Sequence, residues 1–231
     1  MYRIKICGIA STGDALLAAE AGADAIGLNF YEQSPRFVSP QRASEIVAAV
    51  RRDYAPDRLA IFGVFVNAPA EQVLQAVPGE IDVQLHGDEP AELLAELRQQ
   101  GIGPRSLVRA FRSADGNLAA AASYLQTCQR LGALPQAVLL DAHHPGTYGG
   151  TGQRLDWKLV RDASDQLAGL PIVLAGGLTP DNVAEAIRAA RPAAVDTASG
   201  VEASPGKKDA AKVRAFVAQA RQAFEQLATV K

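Results

Sequence analysis

Two side chains able to move protons close strand-like runs in this sequence. Cys7 ends the run RIKIC at 3–7, and Asp141 ends QAVLLD at 136–141. A thiol serves as a base once nearby dipoles or cations stabilise its thiolate. A carboxyl serves as a general acid when its surroundings lift its pKa toward working pH. The pair suits taking a proton from carbon while another is delivered to oxygen. Each also has a plainer reading, the thiol as packed core and the carboxyl as a cap for the next segment. His86, His143 and His144 keep a third reading open, a nucleophilic cysteine activated by histidine.

Other residues could hold an anion. Gly176-Gly177 lies in AGGLTPDN and Ser199-Gly200 in ASGV. Glycine lets backbone N–H groups approach a phosphate closely, and a following helix adds favourable partial charge. The competing reading is a tight turn, but two such sites on adjacent final strands favour phosphate. Arg36 could clamp a carboxylate through two N–H groups, or be a solvated loop charge. His143 and His144 are neighbours without a matching Cys or Asp spacing, so no metal site is read from them. Gly149, Gly150 and Gly152 describe a flexible loop that could close over a substrate, or a surface connection.

These groups need a frame. Strand-like runs stand at 3–7, 24–30, 59–66, 81–86, 106–111, 136–141, 171–176 and 193–199. Most are continuously apolar, as parallel strands covered on both faces are. Ala-rich amphipathic stretches separate them. Ser39-Pro40 and Thr179-Pro180 read as helix starts, and Gly22 and Gly101 as helix ends. Eight such units with no linker predict an α/β fold, a single (β/α)8 TIM barrel over 1–231; a doubly wound open sheet is the competing architecture. Sites in such barrels lie at the C-terminal ends of the strands. There the expectation gathers Cys7, Arg36, His86, Arg109, Asp141, Gly176, Gly177, Thr197, Ser199 and Gly200 at one mouth.

Composition narrows the class. The net charge of −2 argues against nucleic acid as a partner. No run is long and apolar enough to cross a bilayer, and no signal peptide is read at the start. Two cysteines, Cys7 and Cys128, do not make a disulfide framework, so a cytoplasmic setting is expected. Cys128 sits in the helical run YLQTCQRL and reads as packing.

A series of motifs then occurs in order: KICGI at 5–9, SPR at 34–36, GVFVN at 63–67, QLHG at 84–87 and LLD…YGGTG…DW at 139–157. LAGGLTPDNV at 174–183 and VDTASGVE…PGKKD at 195–209 follow. Together they closely resemble the phosphoribosylanthranilate isomerase family of tryptophan biosynthesis over nearly the whole chain. The resemblance implies a TIM barrel that performs an Amadori rearrangement of N-(5-phosphoribosyl)anthranilate to 1-(2-carboxyphenylamino)-1-deoxyribulose 5-phosphate, with no cofactor. It implies Cys7 as general base, Asp141 as general acid and Arg36 as the carboxylate-binding residue. It assigns phosphate to Gly176, Gly177, Ser199 and Gly200. His86 and Asp196 are expected around the substrate, His86 to orient it or to tune Cys7, and Asp196 as an organiser. Ala198-Ser199 stands where the family often has two serines, and the segment 113–135 is long for a fifth helix and its loop. The expected partner is a small phosphorylated substrate, and the assembly a monomer or homodimer. The rival readings are another sugar-phosphate barrel, such as indoleglycerol-phosphate synthase or ribulose-phosphate 3-epimerase, or a non-catalytic barrel that binds a phosphorylated metabolite.

Overall fold

Short apolar runs rich in Val, Ile and Leu cannot satisfy their backbone alone, and here they pair side by side until the sheet closes. A computed structural model describes residues 1–76, 81–103, 107–112, 118–141, 157–161 and 163–229. Its strands are β1 (Ile4–Ile6), β2 (Ala25–Asn29), β3 (Ala60–Phe65), β4 (Asp82–Leu85), β5 (Leu107–Arg112), β6 (Ala137–Asp141), β7 (Ile172–Ala175) and β8 (Ala194–Thr197). They form a closed barrel in sequence order. All pairs are parallel, and β1 seals against β8 with Lys5 opposite Asp196. The strand expectations hold to within one or two residues at each end.

Helices fill the crossovers. They are α1 (Thr12–Glu20), α2 (Pro40–Arg51), α3 (Ala70–Ala76), α4 (Ala91–Gln99), α5 (Ala119–Arg130), α6 (Trp157–Arg161), α7 (Val183–Ala190) and α8 (Ala210–Thr229). Ser39 caps α2 as read from the sequence: its side chain accepts from the Arg42 N–H, with Pro40 at the first helical position. Gly22 and Gly101 have φ of +91° and +97°, the left-handed conformation expected after a helix. Thr179-Pro180 does not start a helix. α7 begins at Val183, and the Asn182 side chain instead accepts from the Thr179 N–H and closes a turn before it.

The strand period of two sorts side chains into layers. Ile4, Ile6, Ile26, Leu28, Ile61, Val83, Leu85, Val138, Leu140, Ile172, Leu174 and Val195 point outward into the core shared with the helices. Fully burying each such side chain contributes about 1.5–3 kcal/mol. The alternate residues Ala25, Phe62, Val108, Ala110, Ala137, Leu139, Val173, Ala175 and Ala194 form a second cluster inside the barrel with Tyr2. Position parity therefore decides which strand residues can reach the mouth.

After β8 the chain departs from the simple beat. A two-stranded antiparallel hairpin, β9 (Glu202–Ser204) and β10 (Lys207–Lys208), precedes α8. At its turn Gly206 has φ of +79°, and a Cβ there would sit 2.8 Å from the Pro35 carbonyl. The hairpin thus rests against the loop that carries Arg36. No signal in the sequence reading predicted it.

Candidate active site

The residues that end the strands line one cavity of about 750 Å³. Cys7, Arg36, His86, Asp141, Asp196, Gly176, Gly177 and Ser199 all border it. Gly200 lies beside it in the 3-10 turn Ser199–Val201. The gathering follows from parity. Cys7, His86 and Asp141 stand in step with the inward residues of their own strands.

Cys7 is half-buried, and its N–H donates to the Thr197 carbonyl at 2.8 Å. Burial pushes its thiol pKa up. Lys5 opposes that rise, Asp196 adds to it, and Lys208 opposes it. Two residues below, Lys5 is fully buried and its Nζ donates to Asp196 Oδ2 at 2.9 Å. For Lys5, burial works against the ammonium, but the charges of Asp196 and Cys7 outweigh it and the pKa rises. For Asp196 the balance is reversed, because burial outweighs Lys5 and its pKa also rises. Gly27 on β2 makes room beside them. A Cβ there would lie 2.7 Å from Cys7 Sγ and 3.3 Å from Lys5 Nζ.

Across the mouth, His86 Nε2 lies 3.4 Å from Asp141 Oδ2, and each side chain is 22% exposed. Gln84, two residues back on β4, is fully buried and places its Nε2 2.9 Å from His86 Nδ1. This contact from below holds the plane of the imidazole, so that Nε2 faces the carboxylate.

Arg36 forms the opposite wall. Its Nε and Nη2 donate to Glu202 Oε1 and Oε2, both at 2.7 Å. Lys208 Nζ donates to Glu202 Oε1 at 3.1 Å and to the Ala198 carbonyl at 3.0 Å. Burial pushes the Glu202 carboxyl up, but hydrogen bonds and charge from Arg36 and Lys208 overcome it, and its pKa is lowered. Two basic side chains thus surround one carboxylate on this wall of the cavity. Gly8 permits the arrangement: it has φ of +70°, and a Cβ there would meet Arg36 Cδ at 2.4 Å.

The Gly176-Gly177 and Ser199-Gly200 loops lie together. Gly176 and Gly177 have φ of +88° and +65°. A Cβ on Gly200 would meet the Leu178 carbonyl at 1.8 Å, so the loops after β7 and β8 touch backbone to backbone. Thr197 Oγ1 donates to the same carbonyl at 2.7 Å.

A protein-family model described as N-(5'phosphoribosyl)anthranilate (PRA) isomerase matches residues 4–219. The chain belongs to this family. A relative from Geobacter metallireducens, an N-(5'-phosphoribosyl)anthranilate isomerase, is 44% identical over 96% of this chain and 100% of its own. The crystal structure of phosphoribosyl anthranilate isomerase from Thermotoga maritima superposes with a TM-score of 0.80 at 37% identity, covering 96% of this chain and 100% of that one. Another isomerase structure, in complex with reduced 1-(o-carboxyphenylamino)-1-deoxyribulose 5-phosphate, gives 0.77 at 36% identity with the same coverage.

Within this isomerase barrel one expectation about the mouth fails. Arg109 is not at the mouth. It stands between the inward residues Val108 and Ala110, so parity turns it outward. Its Nη1 donates to the Leu85 and Ala110 carbonyls and its Nη2 to the Gly87 carbonyl, and it lies 3.3 Å from Glu89. It packs on Phe111 and Tyr124. It ties β5 to the loop after β4. Residues 142–156, with His143, His144, Gly149, Gly150 and Gly152, lie outside the described residues, as do 113–117 of the long fifth segment. Cys128 is fully buried, as expected of packing. Among the described residues no group of three or more His, Cys, Asp or Glu is placed to hold a metal, and no helix is long and apolar enough to cross a membrane. The sequence reading gave no role to Lys5, Gly27, Gln84, Glu202 or Lys208. Lys5 and Gln84 were findable by stepping back two positions from Cys7 and His86.

Proposed function

We propose that this chain isomerises N-(5-phosphoribosyl)anthranilate to 1-(2-carboxyphenylamino)-1-deoxyribulose 5-phosphate, with Cys7 as general base and Asp141 as general acid. The observation that carries the reading is the convergence of Cys7 and Asp141 on one cavity that Arg36 and the paired glycine loops also border. Asp141 gives a proton to the furanose ring oxygen as the C1–O bond breaks and the nitrogen lone pair forms a Schiff base. Cys7, as thiolate, takes the proton from C2 and leaves an enolamine. Proton transfer to C1 and loss of the enol proton then yield the C2 ketone. One proton enters and one leaves, so the exchange between acid and base balances.

The remaining residues hold the substrate still. The loops of Gly176-Gly177 and Ser199-Gly200 take the phosphate. The wall of Arg36 takes the anthranilate carboxylate. Glu202 claims two of arginine's five N–H donors, which fixes the orientation of the guanidinium. Anchoring both ends converts the encounter of sugar, acid and base into an intramolecular one. His86 orients Asp141. The work is done in the cytoplasm by a monomer or homodimer. Incubating the protein with freshly prepared phosphoribosylanthranilate and following the loss of its fluorescence tests the reading. Catalysed loss with appearance of the carboxyphenylamino ketose supports it. Decay at the spontaneous rate, or binding without decay, overturns it in favour of a non-catalytic barrel.

A further inference from the structure

A buried ammonium is an odd resident for the centre of a barrel. Lys5 is fully buried, and its Nζ is held at 2.9 Å by Asp196 and lies 5.8 Å from the centre of the Phe62 ring. A buried ion pair is weak support for stability, since well-packed apolar residues of similar volume often do as well or better. Its position suggests another use. Lys5 is two residues before Cys7 on β1, on the same inner face and one layer down. The sulfur and the ammonium flank the same point above Gly27, at 2.7 Å and 3.3 Å from where a Cβ would be.

We propose that Lys5 is a positioning residue for Cys7: its ammonium, clamped from β8 by Asp196, sets the ease with which the sulfur at the mouth becomes a thiolate. The assignment rests on the isomerase reading for the use to which the thiolate is put. It deepens that reading by naming what makes a half-buried thiol fit to act as a base. A nearby cation favours the thiolate and a nearby carboxylate disfavours it. The clamp therefore works in both directions. Lys5 favours ionisation of Cys7, while Asp196 restrains it by sharing the ammonium. Among the described residues, the other charged or titratable groups around the sulfur are Tyr2 on the lead into β1, Arg36 after β2, His86 at the end of β4, Asp141 on β6, Glu202 on β9 and Lys208 on β10. Burial opposes ionisation, and Lys5 is the leading influence against it.

The test reads the thiol without any substrate. The rate of alkylation of Cys7 by iodoacetamide is followed against pH on the full chain, with mass spectrometry to locate the adduct. Cys128 is 0% exposed and stays silent. Asp196→Asn leaves the ammonium with Cys7 as its nearest acidic partner, so the alkylation midpoint falls below that of the unmodified chain. Lys5→Met combined with Asp196→Asn removes both charges, and the midpoint rises above that of Asp196→Asn by about one pH unit or more. Coincident midpoints in the two variants overturn the proposal. A lowered melting temperature alone would not produce this order. Should the double variant not fold, an unmoved midpoint in Asp196→Asn overturns the proposal by itself. Absence of turnover by the unmodified chain would remove the isomerase reading, while the order of midpoints would still decide the role of Lys5.

Discussion

His86 at the end of β4 and Asp141 at the end of β6 meet over an intervening strand, Nε2 to Oδ2 at 3.4 Å. β5 stands between their strands and presents Ala110 inward, so a small side chain leaves the space for this contact. Gln84 fixes the ring from below. His86→Asn keeps a polar group but removes the ring nitrogen that faces Asp141. Turnover should fall by roughly 10- to 100-fold with KM little changed, because the acid is misdirected rather than lost. Steady-state kinetics check this, and a change confined to KM would place His86 on the substrate instead.

Removing either proposed proton carrier should cost far more. Cys7→Ala and Asp141→Asn are each expected to lower kcat by ~10²–10⁴ with the circular dichroism spectrum preserved. The double variant should lose much less than the product of the two, since the acid and base act on one path. Retention of most of kcat by either single variant would move that role to another residue.

Arg36→Ala should chiefly raise KM, because the guanidinium is proposed to anchor the ligand rather than to react. Glu202→Gln should raise KM by less, as it loosens Arg36 without removing it. This pair also carries a pH signature. The folded pKa of Glu202 lies below its ordinary value of 4.5. The stability it contributes is therefore complete above that value and is lost as pH falls through the folded pKa. Melting temperatures of the unmodified chain should drop more steeply than those of Glu202→Gln as pH is lowered below 4.5. Parallel acid limbs would show that the carboxylate is not linked to folding.

The phosphate loops offer a contrast between two glycines. A methyl on Gly200 would meet the Leu178 carbonyl at 1.8 Å, which forces the loops apart. Gly200→Ala should raise KM and lower the melting temperature together. At Gly177 a methyl meets nothing within 4 Å, and only the φ of +65° resists it. Gly177→Ala should therefore cost only about 1–2 kcal/mol of backbone strain and a smaller rise in KM. Equal effects on KM would mean that contact between the loops does not shape the phosphate site.

Arg109 serves as the control. It grips three backbone carbonyls away from the cavity. Arg109→Lys keeps a cation but loses the fork and the packing on Phe111 and Tyr124. The melting temperature should fall while KM and kcat at permissive temperature stay near those of the unmodified chain. A large kinetic effect in a folded variant would bring Arg109 back to the site.

The sequence by itself determined the beat of strand and helix, hence the barrel, because apolar runs of strand length between amphipathic stretches have few other ways to bury both faces. It also marked which strand ends carry chemistry, since Cys7, His86 and Asp141 sit where a parallel barrel opens. Only the tertiary structure decided which neighbours those ends would have. Lys5 meets Asp196 because β1 closes on β8, across nearly the whole length of the chain. Glu202 reaches Arg36 because an unforeseen hairpin folds back against the loop after β2. Arg109 turned away because a shift of one position along a strand exchanges inside for outside. Such pairings depend on register and closure, which are set by the packing of all strands at once and are not visible in any local run of residues.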